Sequence, residues 1–162
     1  MEEQFSRSAL LLGADGVEKL KKSSVALFGL GGVGSWCAEA LARAGVGQLT
    51  LVDKDRVEES NINRQLVALH STVGRAKVQV MRERIGDIFP ACRVEAHELF
   101  YLPETAHLVP LQGYSYVADC IDNMTAKVHL VCAAQAAGVP VVSAMGAGNK
   151  LDAAALRVSD LC

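Results

Sequence analysis

A glycine-rich segment is the first part of the sequence whose residues could do chemistry. Gly29-Leu30-Gly31-Gly32-Val33-Gly34 follows a short apolar run and precedes a stretch rich in Ala and Leu. Such a loop lets backbone approach a phosphate, and the helix after it directs free N-terminal amides at the anion. Gly29 would allow the tight turn, Gly31 the approach of phosphate, and Gly34 the packing of helix on strand. The segment therefore predicts nucleotide binding.

The polar residues that follow fit a nucleoside triphosphate better than a dinucleotide. Asp53 ends the next apolar run, where a carboxylate can accept hydrogen bonds from both ribose hydroxyls. Beyond it come Asn61-Ile62-Asn63-Arg64-Gln65 and then Lys77. A nicotinamide dinucleotide has no evident need of Arg64 and Lys77, whereas the more charged tail of a triphosphate does. ATP chemistry is the first hypothesis, and a dinucleotide oxidoreductase is an alternative.

An acidic motif lies at the end of a later apolar run. In Asp119-Cys120-Ile121-Asp122-Asn123, the two carboxylates follow a predicted strand at the edge where ligands of open α/β sheets collect. Asp119 is expected to pack or cap at the strand end. Asp122 is well placed to hold Mg²⁺ on the phosphates, although the spacing alone leaves a structural role equally open.

The elements that must position these residues alternate between strand and helix. One or two amphipathic helices are predicted over residues 3–22. Strands are predicted at 24–28, 48–52, 94–99, 116–121, 140–143 and 154–158, and helices at 33–44, 61–69, 75–89, 103–108 and 126–137. Such alternation implies parallel pairing. The predicted fold class is α/β, with a doubly wound, mostly parallel, Rossmann-like sheet preceded by N-terminal helices.

Length and composition indicate one globular domain. The 162 residues are 51% hydrophobic and 21% charged, enough for a single core but too few for two ordinary domains. The formal net charge of -2 argues against a strongly basic surface over the whole chain. Because no secretory signal and no apolar run of membrane-spanning length is visible, we expect a cytoplasmic protein without a membrane contact.

The cysteines and histidines suggest neither a metal site nor a disulfide framework. Five cysteines, at positions 37, 92, 120, 132 and 162, include no Cys-x-x-Cys pair. Cys37, Cys120 and Cys132 lie in apolar patterns and are expected to be small buried side chains. Cys92 follows Pro90-Ala91 in a loop and is expected to be unreactive. The histidines, at positions 70, 97, 107 and 129, form no pair at metal-binding spacing.

Five ordered motifs resemble the ubiquitin-activating-enzyme superfamily, which includes bacterial adenylyltransferases of the ThiF and MoeB type. The motifs are Phe28 through Gly34, Leu51-Val52-Asp53-Lys54-Asp55, Asn61-Ile62-Asn63-Arg64-Gln65, Gly74-Arg75-Ala76-Lys77 and Asp119-Cys120-Ile121-Asp122. Within that superfamily, the stretches at residues 113–117 and 145–152 look most like the tRNA threonylcarbamoyladenosine dehydratase branch. The resemblance covers nearly the whole chain.

The resemblance implies a role for each matched residue. It implies that ATP is held by Gly29, Gly31, Gly32, Gly34, Asp53, Asp55, Asn61, Arg64, Gln65 and Lys77. Asp53 would bind the ribose and Asp122 would hold Mg²⁺. The catalytic residues would be Arg64, Lys77, Asp122 and Arg7. Arg7 matches an arginine that dimers of the family donate across the interface to the partner's ATP, although Ser8 stands where Gln is common. A homodimer is therefore implied.

The implied reaction is ATP-dependent activation of a carboxylate. ATP would adenylate the carboxylate of threonylcarbamoyladenosine in tRNA, and the neighbouring ureido group would then displace AMP and close a ring. Residues 1–162 would form a single adenylation domain, and we expect a C-terminal segment to be missing. Two alternatives stay open: an adenylyltransferase for the C-terminal glycine of a ubiquitin-like sulfur carrier, and a non-catalytic nucleotide-binding module. The resemblance also leaves open whether a sulfur-relay partner exists.

Overall fold

A parallel sheet forms the centre of the fold in the computed structural model, which describes residues 3–146, 148 and 151–160. Its strands are β1 Ser24–Phe28, β2 Gln48–Val52, β3 Arg93–His97, β4 Tyr116–Asp119 and β5 Val141–Ser143. They lie in the order β3-β2-β1-β4-β5, and every neighbouring pair is parallel. The order reverses at β1, so a crevice opens at the carboxyl ends of β1 and β4. The predicted Rossmann-like α/β class is confirmed.

Four helices of more than three residues flank this sheet in the described part of the chain: α1 Ser6–Lys21, α2 Gly34–Ala44, α3 Lys77–Ile88 and α4 Met124–Ala136. Gly13 lies inside α1 with a φ of 73°, which breaks α1 into two helical pieces as the sequence suggested. No helix within the described residues is long and apolar enough to cross a membrane.

The sheet is covered on both faces because successive strand side chains point in opposite directions. Leu27 of β1 packs with Leu49 and Leu51 of β2 in one hydrophobic cluster. Phe28, the next residue along β1, packs in a second cluster that includes Leu130 of α4. Full burial of each such side chain stabilises the fold by about 1.5–3 kcal/mol, so β1 is fixed in the middle of the molecule.

Three predicted elements were wrong. Residues 61–69 form no helix; two 3₁₀ turns, Glu59–Asn61 and His70–Thr72, flank an irregular stretch there. Side chains in this segment bond to nearby backbone and so compete with helical hydrogen bonds, as Asn61 Oδ1 does in accepting from Glu58 N. The predicted helix at 103–108 is reduced to the 3₁₀ turn Ala106–Leu108.

The third is the predicted strand at 154–158, where the chain has the exposed turn Ala153–Ala155 and then irregular backbone. No neighbouring strand pairs with it among the described residues. In the stretch 145–152, which suggested the dehydratase branch, residues 147, 149 and 150 lie outside the described residues. The cysteine position 162 also lies outside them.

Candidate functional site

A cleft of about 770 Å³ opens at the carboxyl edge of the sheet. This volume falls within the roughly 300–1,000 Å³ typical of small-molecule pockets. The cleft brings together the backbone after β1, β2 and β4, the irregular segment at residues 58–65, and the start of α3. Its walls include Gly29, Gly31, Gly32, Asp53, Asp55, Asn61, Arg64, Gln65, Lys77 and Asp122. Gly34 and Arg7 are the predicted site residues that are not in its lining.

The glycines of the loop differ in how much room the surrounding protein leaves for a side chain. Gly29 has a φ of +90°, and a Cβ built on it would lie 2.6 Å from the carbonyl oxygen of Cys120. A Cβ on Gly34, at the start of α2, would collide with the carbonyl of Gly29. At Gly31, by contrast, the nearest atom to a built Cβ is Gln65 Nε2 at 4.0 Å. Protein packing therefore does not explain Gly31, and the free space there faces the cleft.

Asp53 fastens the glycine loop to the end of β2. Its Oδ2 accepts a hydrogen bond from Leu30 N at 2.6 Å, and its Oδ1 accepts one from Asp55 N at 2.7 Å. Burial raises the pKa of this carboxyl, while those two backbone bonds oppose the rise. Each carboxylate oxygen can accept a second bond, so Asp53 can still receive ligand hydroxyls.

Lys77 is a buried cation that points into the cleft region from the first position of α3. Its residue is 4% exposed, and its Nζ lies 3.2 Å from Asp55 Oδ2, whose side chain is 52% exposed. The backbone also joins the two residues, because Lys77 N donates to Asp55 O. An ammonium has three donors, and Asp55 uses one of them, so Lys77 retains capacity for an anion.

Arg64 and Gln65 present unsatisfied polar groups beside the loop. Arg64 Nη1 donates to Asn63 Oδ1 at 2.8 Å and to Ser60 O at 3.2 Å. Within the described residues, no carboxylate lies within ion-pair distance of this guanidinium. Gln65 is buried, and its Oε1 has no hydrogen-bond partner there. A buried polar atom without a partner is costly, which is consistent with a site whose ligand completes it.

Two residues of α2 hold this segment against the loop, and sequence reasoning missed both. Ser35 is fully buried; its Oγ donates to Gly31 O at 2.7 Å and accepts from Leu66 N at 3.1 Å. Trp36 Nε1 donates to Arg64 O at 3.3 Å. A polar residue directly after the last loop glycine was the available signal for Ser35, since a buried hydroxyl must find partners.

The end of β4 is held by a buried ion pair that was also missed. Asp119, fully buried, accepts at Oδ2 from Lys127 Nζ at 2.8 Å and from Ser143 Oγ at 2.6 Å. Its Oδ1 accepts from Ile121 N, which confirms the expectation that Asp119 packs or caps at the strand end. Lys127 comes from α4 and also donates to Ala144 O at 3.0 Å.

Asp122 is placed differently from Asp119. It is exposed at the cleft wall, and the described residues offer it no hydrogen-bond or ion-pair partner. No group of three or more His, Cys, Asp or Glu side chains that could hold a metal occurs in the part of the chain that the structure describes. Arg7 is exposed in the first piece of α1, so the structure does not bring it to the cleft of its own chain.

Part of the cleft wall is apolar. Leu99, Phe100 and Tyr101, which follow β3, line it. Lys54 Nζ lies 4.2 Å from the centroid of the Phe100 ring, and Tyr101 stacks edge-on against Phe28 at 4.8 Å. The sequence offered little warning of this wall, because residues 99–101 were read as the end of a strand and its loop.

The sequence and the architecture of this chain resemble those of known proteins. The tRNA threonylcarbamoyladenosine dehydratase of Bacillus subtilis (strain 168) is 48% identical over 161 residues, covering 99% of this chain and 63% of that protein. A crystal structure of the Escherichia coli tRNA N6-threonylcarbamoyladenosine dehydratase in complex with ATP matches with a TM-score of 0.90 at 41% identity. That match covers 93% of this chain and 62% of the other.

A more distant relative has a different activity. The adenylyltransferase and sulfurtransferase MOCS3 of Drosophila sechellia is 37% identical over 152 residues, which cover 92% of this chain and 33% of that protein. The chain spans about three-fifths of the length of the bacterial dehydratases that it matches. The model of the ThiF family matches residues 5–156, and the chain therefore belongs to the ThiF family.

Proposed function

We propose that this chain is the ATP-binding adenylation domain of a tRNA threonylcarbamoyladenosine dehydratase. The observation that carries the proposal is the composition of a single cleft. It combines a glycine loop with free space at Gly31 and a buried Lys77 with donors to spare. Among the residues that the structure describes, it also holds an Arg64 without a carboxylate partner and an Asp122 without a hydrogen-bond or ion-pair partner. The similarity to the Bacillus subtilis dehydratase supports the choice of substrate.

ATP fits the cleft through groups whose bonds within the protein are incomplete. The loop backbone approaches the phosphates at Gly31, where the space is open, and at Gly32, which lies beside the Arg64 side chain. Asp53 accepts the ribose hydroxyls while keeping its bonds to the loop. Gln65 Oε1 then gains a partner from the nucleotide or its water, which removes the cost of leaving a buried acceptor unpaired.

Arg64 and Lys77 supply the positive charge that the reaction requires. Negative charge grows on the pyrophosphate as it leaves, and preorganised cations stabilise that charge in a site shielded from water. Among the described residues, the acceptors of the Arg64 guanidinium are neutral, so binding of a phosphate there breaks no ion pair with them. Mg²⁺, when bound, neutralises phosphate charge further, and Asp122 is the residue that would hold it. A single carboxylate suits this ion, which commonly binds one or two carboxylates together with substrate phosphates.

The substrate supplies its own nucleophiles. The carboxylate of the threonylcarbamoyl group attacks the α-phosphorus of ATP, forming an acyl-adenylate and releasing pyrophosphate. The neighbouring ureido group attacks the acyl carbon, the bond to AMP breaks, and a ring closes with net loss of water from the substrate. Because the attacking group belongs to the same molecule, proximity replaces a protein nucleophile. A tRNA substrate would place this reaction in the cytoplasm.

A second copy of the chain would complete the site through Arg7. Arg7 lies on the first piece of α1, next to Leu10, Leu11 and Leu12, which are 79%, 90% and 54% exposed. Consecutive large apolar side chains at a surface commonly mark an interaction site. In a homodimer this surface would be covered, and Arg7 would reach the partner's ATP. Sedimentation of wild type and of Leu11→Glu tests the dimer, because a charge at the interface should shift the protein to monomer.

An ATP–pyrophosphate exchange assay tests the activity. We expect exchange with tRNA that carries threonylcarbamoyladenosine and none with tRNA lacking that modification. Lys77→Met should abolish the exchange, while Lys19→Met, at an exposed position of α1 outside the cleft, should leave it unchanged. Exchange that survives in Lys77→Met would overturn the assignment of this cleft.

The relationship to MOCS3 favours one second candidate, an adenylyltransferase that activates the C-terminal glycine of a sulfur carrier. The same assay separates the two, because exchange would then require a ubiquitin-like carrier and would not respond to tRNA. Exchange with neither substrate would refute both activities for this chain.

A further inference from the structure

Two cysteines meet directly behind the glycine loop. Cys120 follows β4 and lines the cleft, whereas Cys37 lies in the first turn of α2. A Cβ built on Gly34 would lie 3.1 Å from Cys120 Cβ, so this turn of α2 is in close contact with the strand end. Residues three apart share a helix face, and Cys37 therefore faces Cys120 as Gly34 does. Both cysteines are free and only partly buried, and Cys132 is exposed, so the expectation that these three side chains are buried was wrong.

The two thiols have complementary protonation states. The hydrogen bond from the Cys120 thiol lowers the pKa of Cys37 to about 7, against the opposing effect of burial. The same hydrogen bond, together with burial, raises the pKa of Cys120. Cys92 provides a contrast, because burial raises its pKa to about 11 against the opposing effect of a hydrogen bond with the backbone of Leu49. Near neutral pH, Cys37 is thus available as a thiolate beside a protonated thiol, and a thiolate is the form that reacts with oxidants.

We propose that Cys37 and Cys120 form a peroxide-sensitive dithiol that closes into a disulfide beside the cleft. The Cys37 thiolate attacks an oxygen of hydrogen peroxide, the O–O bond breaks, and the departing hydroxide takes a proton to become water. The sulfur of Cys120 then attacks the Cys37 sulfenic acid, the S–O bond breaks, and a second water leaves with the thiol proton. The two thiols lose two electrons, and one peroxide is reduced to two waters; an added dithiol reverses the change.

The disulfide would join α2 to the end of β4 at the level of the loop. The backbone at Cys120 already contacts this region, since Cys120 N donates to Phe28 O and its carbonyl limits the side chain at position 29. A covalent link would hold α2 and the strand end at one separation. This proposal goes beyond the proposed ATP chemistry and does not depend on it, because the thiols are placed by the fold alone.

Peptide mapping after peroxide treatment tests the proposal. The protein is treated with hydrogen peroxide, remaining thiols are alkylated, and trypsin is added without reductant. Cys37 then lies in the peptide of residues 23–43 and Cys120 in that of residues 94–127. We expect these two peptides to be linked and to separate on reduction. Cys37→Ser and Cys120→Ser should lose the link, whereas Cys132→Ser, at an exposed position of α4, should keep it.

Two further measurements remove the dependence on folding of the variants. In wild-type protein the rate of linkage should rise between pH 6 and pH 8, following deprotonation around the pKa of about 7 given for Cys37. Phenylarsine oxide, which bridges two adjacent thiols without oxidation, should bind the reduced protein and fail to bind the linked form. Oxidation of Cys37 without linkage, linkage through another cysteine, or absence of arsenical binding would each overturn the proposal. The assays contain neither ATP nor tRNA, so their failure leaves the proposed enzyme activity standing.

Discussion

Replacement of the buried Lys127 by methionine should mainly destabilise the fold, whereas replacement of the buried Lys77 should mainly weaken ATP binding. Lys77 and Lys127 are almost equally buried, at 4% and 3% exposure. Their partners differ, because the side chain of Asp55 is 52% exposed while that of Asp119 is 0% exposed. Methionine keeps the length and most of the packing of lysine but removes the charge and its hydrogen bonds. The carboxylate left behind decides the outcome.

Lys127→Met leaves Asp119 charged, buried and without its cation. Removal of one member of a buried pair costs about 3–5 kcal/mol, because the remaining charge is uncompensated. Lys77→Met leaves Asp55, which water can reach, so the loss of stability should resemble that of a surface pair, about 0–1 kcal/mol. The same change removes a charged donor from the proposed phosphate site. A hydrogen bond to a charged group contributes about 1.5–3 kcal/mol, so ATP should bind roughly ten- to a hundredfold more weakly.

Urea unfolding followed by circular dichroism, with calorimetric titration of ATP, measures both effects. With a slope near 2 kcal/mol per molar urea, the midpoint should fall by about 1.5–2.5 M for Lys127→Met. It should fall by less than about 0.5 M for Lys77→Met. The double variant Asp119→Asn/Lys127→Met should recover part of the loss, since the buried charge is gone. Equal midpoints for Lys77→Met and Lys127→Met would refute the reasoning that exposure of the partner governs the cost.

Two further predictions concern the loop and the helix contact behind it. Gly31→Ala should weaken ATP binding while changing the free energy of unfolding by less than about 0.5 kcal/mol. Gly29→Ala should destabilise the fold, because Gly29 has a φ of +90° and the carbonyl oxygen of Cys120 lies close to it. Similar urea midpoints for the two variants would contradict this prediction. Glu39 accepts hydrogen bonds from Arg84, and these bonds lower the pKa of Glu39 in the folded protein. The ionised Glu39 therefore stabilises the fold above the pKa that it has in the unfolded chain, and this stabilisation is lost as the pH falls through the lowered pKa of the folded state. Unfolding in urea between about pH 6 and pH 3 should therefore show a steeper loss for wild type than for Glu39→Gln, and parallel profiles would argue against it.

The fold could be predicted largely from the sequence because most of its strands are short apolar runs, and a glycine or a proline follows the helices between them. Both β1 and β2 have the predicted bounds, at 24–28 and 48–52. The secondary-structure predictions were wrong where contacts with the rest of the fold, and not the local sequence, determine the conformation. The Ala-rich residues 154–158 looked like a strand, but strand propensity depends on a pleated surface to pack against, and they find none in the described structure. Residues 61–69 were predicted as a helix, but polar side chains there form hydrogen bonds with nearby backbone groups and compete with the helical hydrogen bonds.

The site could be predicted as a set of residue types but not as a network. Loop glycines, Asp53 and Lys77 follow recognisable elements, and parallel strands bring their carboxyl ends to one edge; this is why spacing placed them in a common cleft. Lys127 gave no such signal. It lies within an Ala-rich helix, and only the register of α4 against β4 shows that its ammonium reaches Asp119. Long-range polar contacts of this kind depend on packing, which no local pattern encodes.

The parallel sheet also has a consequence for the way in which the chain folds. No pair of its strands can form as a hairpin, because a parallel neighbour requires a crossover through another element. The central pairing joins Val25 to Tyr116, separated by most of the chain, whereas Ser24 pairs with Gln48. We therefore expect β1 and β2 to associate early, with α2 between them. The approach of β4 should limit the rate, since closing so long a loop costs entropy before any contact repays it. The cleft, which needs both sides of β1, would then be assembled only in the last step of folding.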